Sequence, residues 1–121
     1  MSFKILVVDD EADIREIISH ILLREGYIVD TAADGQIAFD KIQTTRPDLV
    51  ISDIRMPNCN GYELLKKISM LTPPRIPVLF VSGYSEGHAS HTNNDLNFAG
   101  ILSKPVLRKD LIHKIENIQQ Q

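Results

Sequence analysis

The chain has 121 residues, 43% apolar and 24% charged, a balance that suits one globular domain and leaves no room for a second of similar size. A net charge of −3 gives no basic footprint for nucleic acid or an anionic membrane surface, and the single Cys59 excludes an internal disulfide. No apolar run approaches the ~20 residues of a membrane span, and residues 3–8 are too short for a secretory leader, so a soluble, cytoplasmic protein is expected.

Strand and helix signals alternate along the chain. Ile5-Leu6-Val7-Val8 is a continuous apolar run stopped by acids, as in a strand buried on both faces. Ile14, Ile17, Ile18, Ile21 and Leu22 follow at helical spacing, with Asp13 read as the cap and Gly26 as the stop. Tyr27-Ile28-Val29 predicts a second strand. Asp34-Gly35 opens a helix carrying Ile37, Ala38 and Ile42, closed before Pro47. Leu49-Val50-Ile51 predicts a third strand ending at Asp53, and Leu64, Leu65, Ile68 and Leu71 a helix stopped by Pro73-Pro74. Residues 77–81 predict a fourth strand ending at Ser82. Residues 85–97 should form the next helix, yet Gly87, His88, Ser90, His91, Thr92, Asn93 and Asn94 all have weak helix propensity. Residues 99–103 predict a fifth strand, and Leu111, Ile112, Ile115 and Ile118 give the closing helix its apolar face. Five strand–helix units with short connections imply an α/β domain, a parallel sheet covered by helices on both faces.

In such a sheet, ligands bind outside the carboxyl ends of the strands. There the sequence places Asp9-Asp10-Glu11 after strand one, Asp53 after strand three, Ser82 after strand four and Lys104 after strand five. Any one of these is ordinarily a cap or a solvated loop residue. Together they are harder to explain without chemistry, because gathered carboxylates repel one another unless a cation neutralises them. Oxygen ligands with no adjacent Cys or His suit a hard divalent ion, Mg2+ above all. An Asp carboxylate can serve as a nucleophile and form an acyl phosphate, with cations and donors stabilising the phosphoryl oxygens. No second nucleophile or activating His for a separate substrate is present, so an enzyme acting on one is not expected.

These residues resemble the receiver domain of two-component response regulators. The pattern is carried by Val7-Val8-Asp9-Asp10-Glu11, Asp53-Ile54-Arg55-Met56-Pro57 with Gly61, Val81-Ser82-Gly83 and Ser103-Lys104-Pro105. The resemblance spans residues 1–121 as one domain. It implies a doubly wound, flavodoxin-like (βα)5 sheet of order 2-1-3-4-5, as in chemotaxis receivers. It further implies that Asp53 is the phosphoacceptor, that Asp9, Asp10, Asp53 and the Arg55 backbone carbonyl hold Mg2+, and that Ser82 and Lys104 contact the phosphoryl group. The Lys104-Pro105 bond is expected to be cis. The implied partners are a sensor histidine kinase or a His phosphotransfer protein upstream, and an output domain or effector protein downstream. A phosphorylation-dependent dimer is also compatible with it. Position 101 departs from the family: Ile101 stands where a Tyr or Phe usually reports phosphorylation by rotating its ring. The weak helix over 85–97 is the element expected to shift on phosphorylation. Arg55 and Tyr84, two residues beyond Asp53 and Ser82, are expected to flank the path of attacking water, with Tyr84 shielding the acyl phosphate.

Two rivals remain. An Asp-nucleophile phosphatase would place its nucleophile after strand one and add a substrate cap, for which 121 residues leave no room. A degenerate receiver acting as a constitutive protein-interaction module draws on Ile101 alone. His88 and His91 lack a third ligand nearby, and Cys59 lacks a base or partner thiol, so both read as incidental. Neither a P-loop nor a dinucleotide fingerprint is present.

Overall fold

The structure is a computed structural model that describes residues 2–83 and 97–120; the helix expected over 85–97, all but Asn97, lies outside the described residues, as do Tyr84, His88 and His91. Strands β1 (Lys4–Val8), β2 (Ile28–Ala32), β3 (Leu49–Asp53), β4 (Val78–Ser82) and β5 (Phe98–Ser103) alternate with helices α1 (Ala12–Arg24), α2 (Gly35–Thr45), α3 (Gly61–Ser69) and α4 (Arg108–Gln119). All strands pair in parallel, in the order β2-β1-β3-β4-β5. This is the order that the resemblance to receiver domains implies.

The alternation of side chains along a strand explains why the sheet needs cover on both faces. Leu6, Val8, Val50, Val78 and Phe80 point into one apolar layer with Ala38 and Ile42 of α2 and Leu64, Leu65 and Ile68 of α3. Their neighbours Ile5, Val7, Leu49, Ile51, Leu79 and Val81 point into the other, with Ile18 and Leu22 of α1 and Leu111 and Ile115 of α4. Each fully buried Leu, Ile or Phe contributes about 1.5–3 kcal/mol through removal of apolar surface from water. The chain order reverses at β1, which pairs with β2 on one side and β3 on the other. The crevice outside the ends of β1 and β3 is therefore where a ligand site belongs.

Helix boundaries follow local chemistry, with some corrections to the sequence reading. Asp13 does not cap α1. The N-cap is Glu11, which makes no side-chain cap bond, and Asp13 lies in the first turn, where its charge favours the positive helix end. The chain enters the helix early because the Glu11 amide donates to Asp9 Oδ1 at 2.9 Å while the Glu11 carbonyl already accepts from the Arg15 amide at 3.1 Å. Gly26 does stop α1: it adopts φ 92°, and the Tyr27 amide returns to the Leu22 carbonyl. Asp34 caps α2 through the Ile37 amide at 2.9 Å. A capping box unites Asn60 and Glu63 at the start of α3. That helix ends at Ser69, short of Leu71, which nevertheless packs against the core. β2 runs on past Val29 to Ala32.

Close approach requires glycine at the start of α2, where a Cβ on Gly35 would lie 2.2 Å from the Cys59 carbonyl oxygen, and at the start of α3. A Cβ on Gly61 would lie 2.6 Å from the Asp53 carbonyl oxygen and 2.9 Å from Phe80, so only glycine lets α3 start against the end of β3.

Candidate functional site

Asp9 follows β1, Asp53 ends β3, Ser82 ends β4 and Lys104 follows β5, so the strand tips deliver these residues to one edge of the sheet. One carboxylate oxygen from each of Asp9, Asp10, Glu11 and Asp53 lies within 4.8 Å of the others. Lys104 Nζ is 3.1 Å from Asp53 Oδ2, 3.2 Å from Asp9 Oδ2 and 3.9 Å from Glu11 Oε1. Asp53 Oδ1 accepts from the Ile54 amide at 2.7 Å. Ser82 is buried, pairs in register with Ser103, and its carbonyl accepts from the Lys104 amide at 2.8 Å. This main-chain bond fixes the start of the lysine stem beside the end of β4. The Lys104-Pro105 bond is cis.

Burial makes the cluster electrostatically tense. Asp9 is only 1% exposed, Asp53 7%. Loss of hydration raises the Asp9 pKa, and the neighbouring Asp53 charge adds to the rise; the Glu11 amide and Lys104 offset only part of it. Burial alone would lower the Lys104 pKa, but its hydrogen bond to Asp53 and the charges of Asp9 and Asp53 outweigh that effect and raise it. The ammonium is thus firmly protonated and neutralises carboxylates from two strands.

The donor set fits a hard divalent cation. It offers oxygen ligands from two adjacent strand ends, two of them on exposed residues through which an ion can enter. One cation there would relieve the repulsion from Asp53 that adds to the burial-driven rise at Asp9.

Comparison with known proteins settles the relationship. Residues 5–116 match the response regulator receiver domain. The chain belongs to this family. Its fold resembles the chemotaxis response regulator CheY4 of Vibrio cholerae, with a TM-score of 0.87 and 32% identity over 98% of this chain and 99% of that one. A CheY-like receiver domain protein from Methanospirillum hungatei gives a TM-score of 0.90 at 33% identity, covering 99% of this chain and 96% of that one. The sporulation initiation phosphotransferase F of Bacillus subtilis is 33% identical over 87% of this chain and 84% of its own length. A Trichodesmium erythraeum protein-glutamate methylesterase/protein-glutamine glutaminase is 36% identical, but this chain spans 36% of its length; for the Bacillus subtilis transcriptional regulatory protein PhoP the share is 49%. Several curated relatives therefore carry long stretches beyond the receiver.

Of the residues singled out in the sequence, Asp9, Asp10, Asp53 and Lys104 gather at one point, and Ser82 lies in the adjacent strand end. Arg55 is exposed in the loop between β3 and α3. Ile101 is 38% exposed on β5, one of the large apolar side chains at the surface. Glu11, placed with Asp9 and Asp10 at the sheet edge but given no role of its own, joins the carboxylate group. One further contributor escaped the sequence reading. Arg15 donates from Nη1 to the Asp9 backbone carbonyl at 2.6 Å, and its position one helical turn after Glu11 was the only signal. No helix among the described residues is long and apolar enough to cross a membrane.

Proposed function

We propose that this receiver domain is a phosphorylation switch in which Asp53 takes a phosphoryl group from the histidine of a sensor kinase or His phosphotransfer protein. The observation that carries this reading is the meeting of the β1 and β3 carboxylates with the Lys104 ammonium, 3.1 Å from Asp53 Oδ2. An Asp53 carboxylate oxygen attacks phosphorus; the new O–P bond forms as the N–P bond of the phosphohistidine breaks, and the imidazole leaves with that electron pair. Lys104 exchanges its bond to Asp53 for one to a phosphoryl oxygen, and the Ser82 hydroxyl donates to another. Mg2+ held by Asp9, Asp10, Asp53 and the Arg55 backbone carbonyl would supply neutralisation of the charge on the transferring group. Water later cleaves the acyl phosphate to restore the carboxylate and release inorganic phosphate, so no separate substrate is turned over.

The group adds a charge of up to about −2 at the strand tips. This charge biases a two-state equilibrium that alters binding of an output domain, an effector protein or a second receiver. Ile101 has no ring to rotate, so the switch reads through the Lys104 and Ser82 contacts instead. The protein acts in the cytoplasm. Incubation with phosphoramidate and Mg2+, followed by intact mass measurement, tests this reading. Wild type should gain one phosphoryl group and Asp53→Asn none. An unlabelled wild type would leave only a constitutive binding module, and a labelled Asp53→Asn would move the acceptor elsewhere.

A further inference from the structure

Three of the four gathered carboxylates, those of Asp9, Asp10 and Glu11, sit on consecutive residues at the corner between β1 and α1. The hold on that corner therefore decides how well the group stays assembled. Besides its ion pair with Lys104, Asp9 is gripped at three points. Its amide donates to the Ala32 carbonyl at 3.2 Å, and its Oδ1 accepts from the Glu11 amide at 2.9 Å. The third point is a side chain. Pairing of β1 with β3 ends at Val8 and Ser52, and the Asp9 carbonyl accepts from Arg15 Nη1 at 2.6 Å. That length marks a charge-assisted bond, stronger than one between neutral groups. Because the Arg15 amide also bonds the Glu11 carbonyl, Arg15 ties α1 to both ends of the acidic corner.

We propose that Arg15 is a positioning residue, its guanidinium clamping the Asp9 carbonyl so that the carboxylates of residues 9–11 are held ready for a divalent cation. This rests on the functional reading above. The clamp also places a fixed positive charge behind the acids, on the backbone side, where it opposes their repulsion without occupying a carboxylate oxygen. Partners that orient metal ligands from outside the coordination sphere typically change affinity about 10- to 100-fold when removed.

The test compares Arg15→Met, which keeps the aliphatic stem and loses the donors, with Arg15→Lys, which keeps a charged donor. Calorimetric titration with Mg2+ should show the dissociation constant raised about tenfold in Arg15→Met, the low end of that range, and largely restored in Arg15→Lys. In EDTA, exchange of the Glu11 amide should quicken in Arg15→Met and stay near wild type in Arg15→Lys. A role in packing alone would let methionine serve as well as lysine in both readouts. If Arg15→Met does not fold, Arg15→Leu takes its place in the same comparison. A wild type that binds no Mg2+ overturns the functional reading and this inference together. A wild type that binds it, with Arg15→Met binding equally well or Arg15→Lys no better than Arg15→Met, overturns the inference alone.

Discussion

β3 and β5 lie one strand apart in the sheet and end at the same site, yet they are built differently. β3 is buried at all five residues, whereas no residue of β5 is fully buried. β3 delivers Asp53 from between two apolar layers, and the Gly61 amide bonds the Ile54 carbonyl at 2.7 Å across the turn that follows. β5 delivers Lys104 from an edge, with Ile101 and Leu107 exposed nearby. The difference fits the proposed roles. The carboxylate proposed as acceptor is held by core packing, and the ammonium paired with it hangs from the edge strand.

The strongest way to break this contrast is in the core. Phe80→Ala removes a fully buried ring that meets Tyr62 edge-on, with centroids 5.4 Å apart. It should cost about 3–5 kcal/mol in denaturant unfolding. Ile101→Ala on the edge should cost about 1 kcal/mol or less. Equal losses would mean that the edge strand is as firmly packed as the centre.

Lys104→Met sharpens the contrast from the electrostatic side. It leaves Asp9 and Asp53 buried without their counter-charge, and stability in EDTA should fall on the order of 1–2 kcal/mol, less than for a fully buried pair because the lysine is partly solvated. Added Mg2+ should recover most of that loss, and a deficit that is insensitive to Mg2+ would contradict a shared neutralising role.

The smallest effect concerns the loop after Asp53. Asp34 caps α2 and also accepts from Asn58 Nδ2 at 3.2 Å. The Ile37 amide, first, and the Asn58 side chain hold its pKa below the usual 3.8. The group therefore contributes stability that is present above the unfolded value and lost as pH falls through the lower folded one. Asp34→Ala should lower the Tm at neutral pH, with the gap to wild type closing in acid. A gap that persists at the lowest pH would show that the carboxylate is not its source.

The sequence exposed the parts of this molecule that obey short-range rules. Ile5 to Val8 and Leu49 to Ile51 are runs that only a doubly covered strand can bury, and the acids behind them had nowhere to go but the sheet edge. What stayed hidden depends on three dimensions. Asp13 looked like a cap because capping preference is read one residue at a time; the Asp9 carboxylate had already taken the Glu11 amide and started the helix early. The Arg15 bond crosses from helix to strand end, and no pattern in the residues announces which of several arginines reaches back.

The central claim is that carboxylates from two strand ends share one divalent cation beside Asp53. A crystal soaked in Mn2+ would test it directly through the anomalous signal. The account predicts one strong peak within bonding distance of carboxylate oxygens from Asp10 and Asp53. A peak away from these residues, or none at Mn2+ concentrations well above those that support phosphoryl uptake, would contradict it.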